Sequence, residues 1–355
     1  MKTRSRHLVV PTEPFRVDPE LRADQLLDRM ARISFQGRNL SAALRVWQRM
    51  LERDTTIFLG MAGALTPAGL RLVVSYLMQH RFVDCLVSTG ANLYHDLHET
   101  RGYHHFIGTP RVDDADLQAE RIDRVYDTYA REDEFVDNDN WIAAFAATLE
   151  PRPYSSREFL HVLGRRLWEE TGGDGILTAA YRFGVPIYCP AIADSSIGMG
   201  LAQARHAAPA SGQIDVIGDV IESANLVIRS RRTGSVVLGG GTPKNFINQA
   251  IVEAEYYSPK VDGHRYALQI ITDAPHFGGA SGSTLDEAQS WGKVSTDAAQ
   301  VTVHADVTVA LPLLVSALAR TGAEGARARG ASRIDASGRD LVIDGRPVPH
   351  QQFEE

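Results

Sequence analysis

Residues 235–247 read SVVLGGGTPKNFI. An unbroken apolar run ends in three glycines and passes at once into Thr242-Pro243, a hydroxyl cap and a first-turn proline. That is a buried strand turning directly into a helix, and the pattern recurs along the chain. TIFLG at 56–60 is a short buried strand, and Thr66-Pro67 opens a helix with Leu70, Val73, Val74 and Leu77 on its apolar face. VDCLVST at 83–89, VPIYCPAI at 185–192, YALQIIT at 266–272 and QVTVHA at 300–305 add further strands. Helical spacing predicts two helices over 22–53, broken near Gln36-Gly37, and others over 117–130, 139–149, 174–183, 214–230 and 307–321. Ser155 and Glu158 form a capping box for a helix running to about Trp168. The histidine- and aromatic-rich stretch 91–110 reads as a long irregular connection, and LVIDG at 341–345 as a hairpin strand. Continuous apolar strands alternating with helices imply an α/β fold with a mostly parallel sheet covered by helices on both faces. The expected organisation is a flexible N-terminal arm at 1–21, a single α/β domain at 22–324 and a tail at 325–355.

Composition narrows the class. Of 355 residues, 44% are hydrophobic and 23% charged, which excludes wholesale disorder. The apolar runs are far shorter than the roughly 20 residues a membrane helix needs. The N-terminus lacks a signal-peptide core. No membrane partner is expected. Cys85 and Cys189 sit in apolar strand-like runs and read as buried thiols in a reducing cytoplasm. A net charge of −7 argues against nucleic acid as a partner. Residues 111–140 carry eleven acids and four bases, which is either a solvated face or an attractor for a cationic substrate. There are only four lysines, at 2, 244, 260 and 293, so a primary amine needed for chemistry has few sources.

Ligands of a parallel sheet bind at the carboxyl ends of its strands. The candidates there are Gly60–Gly63, Thr89–Asn92, Asp194–Gly198, Gly239–Gly241, Thr272–Asp273 and Asp306. The run VVLGGGTPK is the best phosphate-cradling turn, although tight strand–helix packing explains it equally well. The stretch FGGASGSTLDEAQSWGKV at 277–294 places Asp286, Glu287, Trp291 and Lys293 behind a glycine-rich loop that begins at Gly278. A lysine desolvated beside an indole is a nucleophilic amine suited to imine formation, and the indole can face an ammonium substrate. A surface loop with a solvated lysine is the alternative. Histidines 95, 98, 104 and 105 fit no metal motif, so no metal is expected. GGASG lacks the spacing of a serine-hydrolase elbow.

Three stretches together resemble the deoxyhypusine synthase family: residues 56–97 (TIFLG to YHDL), VPIYCPAIADSSIG at 185–198, and VVLGGGTPKNFI with DEAQSWGKVSTDAAQVTVHADVTVALPLL at 236–247 and 286–314. The resemblance implies NAD as cofactor and a polyamine oxidised at a carbon next to nitrogen. An active-site lysine then holds the aminobutyl group as an imine until a second amine accepts it. It also implies a Rossmann-like NAD-binding fold and a homotetramer with active sites at subunit interfaces. Carried over by position, Lys293 is the imine-forming lysine, and Glu287 and Trp291 line the polyamine site. Gly63, Thr89, Gly90, Ala91, Asp194, Gly240, Thr272, Asp273 and Asp306 fall at or beside NAD contacts. The departures are His95 and Tyr94 for acidic residues, Asn245 for a histidine, and Ala280, Phe277 and Met199 for aspartates. Carboxylates hold ammonium groups, so these changes redirect or weaken diamine binding. His95 is a candidate proton shuttle, or a hydrogen-bonded structural residue. The leading expectation is an aminobutyl transferase making homospermidine-type polyamines from small-molecule amines. A synthase acting on a lysine of the hypusine-bearing translation factor is the second, and a catalytically weak NAD- or amine-binding protein the third.

Overall fold

The computed structural model describes residues 7, 9–209, 211–279, 283–322 and 334–354. Six strands form one parallel sheet: β1 Thr56–Met61, β2 Cys85–Ser88, β3 Ile187–Tyr188, β4 Thr233–Leu238, β5 His264–Ile271 and β6 Val294–His304. Every residue of β1, β2 and β4 is buried, as strands sandwiched between helix layers require. In space the order is β6-β5-β4-β1-β2-β3. Read from β3, this is 3-2-1-4-5-6, the doubly wound order of dinucleotide-binding folds. The order reverses between β1 and β4, so their carboxyl ends, Met61 and Leu238, flank the crevice.

The helices are α1 Ala23–Met30, α2 Phe35–Glu52, α3 Arg71–Gln79, α4 Gly90–Thr100, α5 Asp114–Ala119, α6 Glu132–Ala147, α7 Ser156–Thr171, α8 Ile176–Phe183, α9 Ser196–Ala207, α10 Val216–Arg229, α11 Gly241–Tyr257, α12 Leu285–Ser290 and α13 Val307–Thr321. One face of the sheet packs against α2, α3 and α13 through Trp47, Leu77 and Leu314. The other packs against α10 and α11 through Leu226 and Ile251. The C-terminal hairpin joins this second face. Its strands, Val342–Ile343 and Arg346–Pro347, are turned by Asp344-Gly345, both at positive φ, the conformation a two-residue hairpin loop demands. Arg157 anchors the segment. It is fully buried, makes two 2.9 Å bonds to Glu222, and donates to the carbonyls of Gly338 and Arg339.

Several expectations need correction. Residues 90–100 are not irregular but form α4, since its histidines and Asp96 find buried partners that composition does not reveal. Residues 117–130 are mostly not helical: after α5, the strands Ile122–Val125 and Thr128–Arg131 pair antiparallel around Tyr126, held at φ +55°. The break between the first helices lies at 31–34, and Gly37 sits in the first turn of α2. Neither Thr66 nor Thr242 caps a helix. The Thr66 hydroxyl is buried without a partner, and Gly240 occupies the cap position of α11. Residues 16–18 pack back on α1, with Arg29 bonding Asp18 and the Arg16 carbonyl.

Candidate functional site

Three turns meet at the carboxyl edge of the sheet. Asn92, on the first turn of α4, ties two of them together. Its amide donates to the Gly63 carbonyl (2.8 Å) and Thr89 Oγ1 (3.0 Å), and its Oδ1 accepts the Thr66 N–H (3.0 Å). The Gly63 and Thr89 turns are thereby held in fixed relation, with Ala91 exposed beside them. Gly90 admits the third turn. A Cβ there would lie 2.3 Å from Ser195 Oγ and 2.6 Å from its Cβ, so only glycine lets the Asp194–Ser195 turn approach the head of α4.

The glycine run completes the crevice. Gly239 and Gly241 hold φ +76° and +58°, and a Cβ on Gly241 would meet nothing within 4 Å. The head of α11 therefore presents backbone to open space at the switch point, where a helix N-terminus can seat a phosphate. Asp306 caps α13, accepting from the Thr308 N–H (2.7 Å) and hydroxyl (2.6 Å), and these bonds hold its carboxyl below the usual range. Thr272 and Asp273 are exposed at the end of β5. Asp273 lines a cavity of about 170 Å³ together with Gln269, Ser283, Asp286, Thr302 and His304.

The lysine cluster is built on α12. Thr284 and Glu287 form a reciprocal capping box, which fixes Glu287 at the exposed head of this short helix. Trp291 ends the helix, 64% exposed, and Lys293 Nζ lies 5.3 Å from its ring centroid, within cation–π range. The Lys293 backbone lies at the amino end of β6, where its carbonyl accepts the His264 N–H. Val294 pairs with His264 and His304 with Ile271, so the two ends of β6 are about 23 Å apart along the sheet. Lys293 and Asp306 thus lie at opposite ends of one strand. Lys244 lies on the first turn of α11. It is 4% exposed, and its Nζ donates to Gln269 Oε1 (3.2 Å) and the Ser283 carbonyl. Burial brings its pKa down to about 8; nearby Glu287 opposes the shift and Lys293 adds to it. Asn245, the next residue, is exposed. Gly278, at φ +65°, turns the chain after β5, while Ala280, Ser281 and Gly282 lie outside the described residues.

The second turn of α4 carries a hydrogen-bonded chain. His105 Nδ1 meets Glu99 Oε1 at 2.6 Å, and His105 Nε2 meets His95 Nδ1 at 2.8 Å. His98 packs beneath, with Nδ1 accepting from Asn138 at 3.0 Å. Burial, then the neighbouring His105 and His98, hold His95 down to about 3. Burial likewise holds His98 at about 4. Both rings are neutral at physiological pH. Among the described residues no group of side chains is arranged to hold a metal ion.

The family model for deoxyhypusine synthase matches residues 25–318. The chain belongs to the deoxyhypusine synthase family. Enzymes of this family are NAD-dependent aminobutyl transferases, and the chain is an enzyme of that type. It is 47% identical over 310 residues to "Probable deoxyhypusine synthase 2" of Methanosarcina mazei, covering 87% of this chain and 89% of that one. It is 40% identical over 299 residues to the "Deoxyhypusine synthase-like protein" of Coxiella burnetii, covering 83% and 85%. In fold it matches the crystal structure described as "a putative deoxyhypusine synthase from Entamoeba histolytica", at 19% identity and a TM-score of 0.58 over 86% of this chain and 96% of that one.

Within the deoxyhypusine synthase frame, the departures have distinct surroundings. Tyr94 is buried and turned inward, its hydroxyl donating to Asp139 (2.8 Å) or the Phe135 carbonyl (2.9 Å), so it offers the crevice no charge. Met199 and Phe277 are exposed, at 54% and 81%. Sequence reading assigned no role to Lys244, Glu99 or His105, and took Asn92 only as the end of a candidate ligand-binding turn. Lys244 could have been found as one of only four lysines, two residues beyond the glycine run and Thr242. Asn92, Glu99 and His105 carry no local signal, because each acts through a partner brought near by folding.

Proposed function

We propose that the chain is an NAD-dependent transferase that moves an aminobutyl or similar alkylamine group from a polyamine to an amine acceptor, holding it as an imine on Lys293. The observation that carries this reading is Lys293 Nζ set over the Trp291 ring beside Glu287 and the buried Lys244. The indole offers an apolar, cation-binding wall for an alkylammonium, and Glu287 offers a countercharge. Lys244 places a second amine near Lys293.

The crevice fits NAD. The open backbone at Gly241 suits the pyrophosphate, and we assign Gly63, Thr89, Gly90, Ala91, Asp194, Gly240, Thr272, Asp273 and Asp306 to the remaining cofactor contacts. When bound, NAD takes up a hydride from the carbon next to nitrogen and returns it at the end of the cycle. The chain's own residues position the amine, exclude water and form and release the imine. The free thiols Cys85 and Cys189 are buried, as suits a cytoplasmic protein. We place the complete site between copies in a homotetramer, where exposed Trp291 and Phe277 would be covered.

Small-molecule acceptors, as in homospermidine synthesis, are favoured by the loss of charged residues at Tyr94, His95, Asn245, Phe277, Ala280 and Met199. The names of the archaeal relatives favour a second reading, a synthase acting on a lysine of the hypusine-bearing translation factor. One experiment separates the two. Purified protein and NAD are incubated with spermidine and either putrescine or that factor, and products are identified by mass spectrometry. Homospermidine supports the first reading and a modified factor the second. Transfer to neither acceptor overturns both.

A further inference from the structure

The amino edge of the sheet, opposite the crevice, carries a groove lined by cations. Two clefts, of about 540 and 520 Å³, meet there at Arg232 and Arg265, where β4 and β5 begin. Arg231 and Lys260 line the first cleft, and Arg49 and Arg53 the second. Among the described residues, none of these four, nor Arg232, has a carboxylate within ion-pair distance or a side-chain hydrogen bond. Two carboxylates that line the groove are already neutralised. Arg265 donates to Asp262 at 3.0 Å and to Asp297 at 2.7 Å. Glu52, on the outer cleft, is the other lining carboxylate. The groove is therefore locally positive on a chain whose net charge is −7.

That concentration is unlike the rest of the molecule. Arg71, Arg121, Arg124, Arg152, Arg157 and Arg182 each meet a carboxylate at 2.6–3.2 Å. Helix ends explain part of the patch, since Arg49 and Arg229 lie in the last turns of α2 and α10, where cations answer the carbonyl end of a helix. Arg231, Arg232 and Lys260 lie beyond any helix. The walls are also rigid. The Arg232 carbonyl accepts the Thr56 N–H at 2.9 Å, and Arg229 donates to the Arg346 and Pro347 carbonyls. Gly263 fits so closely against β6 that a Cβ there would lie 2.6 Å from the Gly292 carbonyl oxygen.

We propose that this groove is a second anion site, which binds a chain of two or more linked phosphates, as in a nucleoside triphosphate or an inorganic polyphosphate. Unpaired guanidinium groups offer forked donors that match phosphate oxygens, and Lys260 adds a point charge. The cations are spread over two joined clefts, so one phosphate could reach only some of them, whereas linked phosphates span the junction at Arg232. The groove is separate from the crevice: β4 alone places about 17 Å between Thr233 at this edge and Leu238 at the other. The proposal does not depend on the transferase reading.

The test is isothermal titration calorimetry of the full-length protein with sodium tripolyphosphate and, separately, with ATP, at about 50 mM salt, where charge screening is modest. Both are expected to bind and to weaken as salt is raised. The double variant Arg231→Gln/Arg232→Gln should weaken both about tenfold or more, and the exposed Lys260→Gln about threefold. Arg165→Gln, on α7 and outside the groove, should leave them unchanged. Thermal unfolding checks that the variants fold; if the double variant does not, Lys260→Gln and Arg49→Gln decide. Equal affinity for the two ligands assigns recognition to the phosphates alone, and tighter ATP binding adds contacts to the nucleoside. No binding of either ligand overturns the site. So does binding that folded groove variants leave unchanged, which would place the anion elsewhere, the crevice included. Binding of a single-stranded RNA oligonucleotide but not of tripolyphosphate or ATP would overturn the assignment in favour of nucleic acid.

Discussion

Replacing Lys244 by methionine removes a charge that the fold holds at a cost. The amine is buried and its pKa lies near 8 rather than the ordinary 10.5. At about 1.4 kcal/mol per unit, the charged form is disfavoured in the native state by about 3 kcal/mol below pH 8. The sign follows from proton counting. Between pH 8 and 10.5 the unfolded chain holds a proton on Lys244 that the native chain has released, so stability rises with pH in that window. The penalty is complete below pH 8 and gone above 10.5. Between pH 7 and 9.5 the wild type should therefore gain about 2 kcal/mol relative to Lys244→Met, whatever the constant offset from altered packing. Urea unfolding followed by tryptophan fluorescence, at one protein concentration and a series of pH values, measures this. Parallel stability curves, differing by a constant within about 0.5 kcal/mol, would refute burial as the cause of the shift. The same pKa means that near pH 8 half of the Lys244 amines are neutral, so the charge beside Lys293 is itself pH-dependent.

Gly90→Ala must displace Ser195, since its Cβ would lie 2.3 Å from Ser195 Oγ. Overpacking of this kind costs about 1–3 kcal/mol, and calorimetry should also show weaker NAD binding. Glu222→Ala leaves the buried Arg157 guanidinium without its carboxylate, and thermal or urea unfolding should register a loss of about 3–5 kcal/mol. Asp306→Ala removes the cap of α13, with an expected loss of about 1 kcal/mol in the same assay.

What could be read from the sequence is what depends on local pattern. The strands β1, β2 and β4 are continuous buried runs, and runs such as TIFLG and SVVLGGG announce burial on both faces without help from the rest of the chain. LVIDG at 341–345 was legible as part of a hairpin, but its strand is only Val342–Ile343, and Asp344-Gly345 form the turn at positive φ. Segment 91–110 was not. Its helix is stabilised by buried polar contacts: Asp96 accepts the Ile176 and Leu177 N–H groups at the head of α8, and His98 bonds Asn138 forty residues on. A polar stretch with such partners looks like a loop until the partners are known. Residues 117–130 failed differently, since Tyr126 takes a turn conformation that tyrosine does not advertise. In the site, Lys293 and Trp291 stood out because their spacing is local. Lys244 and the His95–His105–Glu99 chain needed the fold.

The central claim is that Lys293 carries the transferred group as an imine. The direct measurement is borohydride trapping of the protein incubated with NAD and spermidine, followed by peptide mapping. The account predicts a reduced aminobutyl adduct on Lys293, present in the wild type and absent when NAD is omitted or in Lys293→Arg, since arginine forms no such imine. Transfer of the amine with no adduct on Lys293, or full transfer by Lys293→Arg, would contradict it.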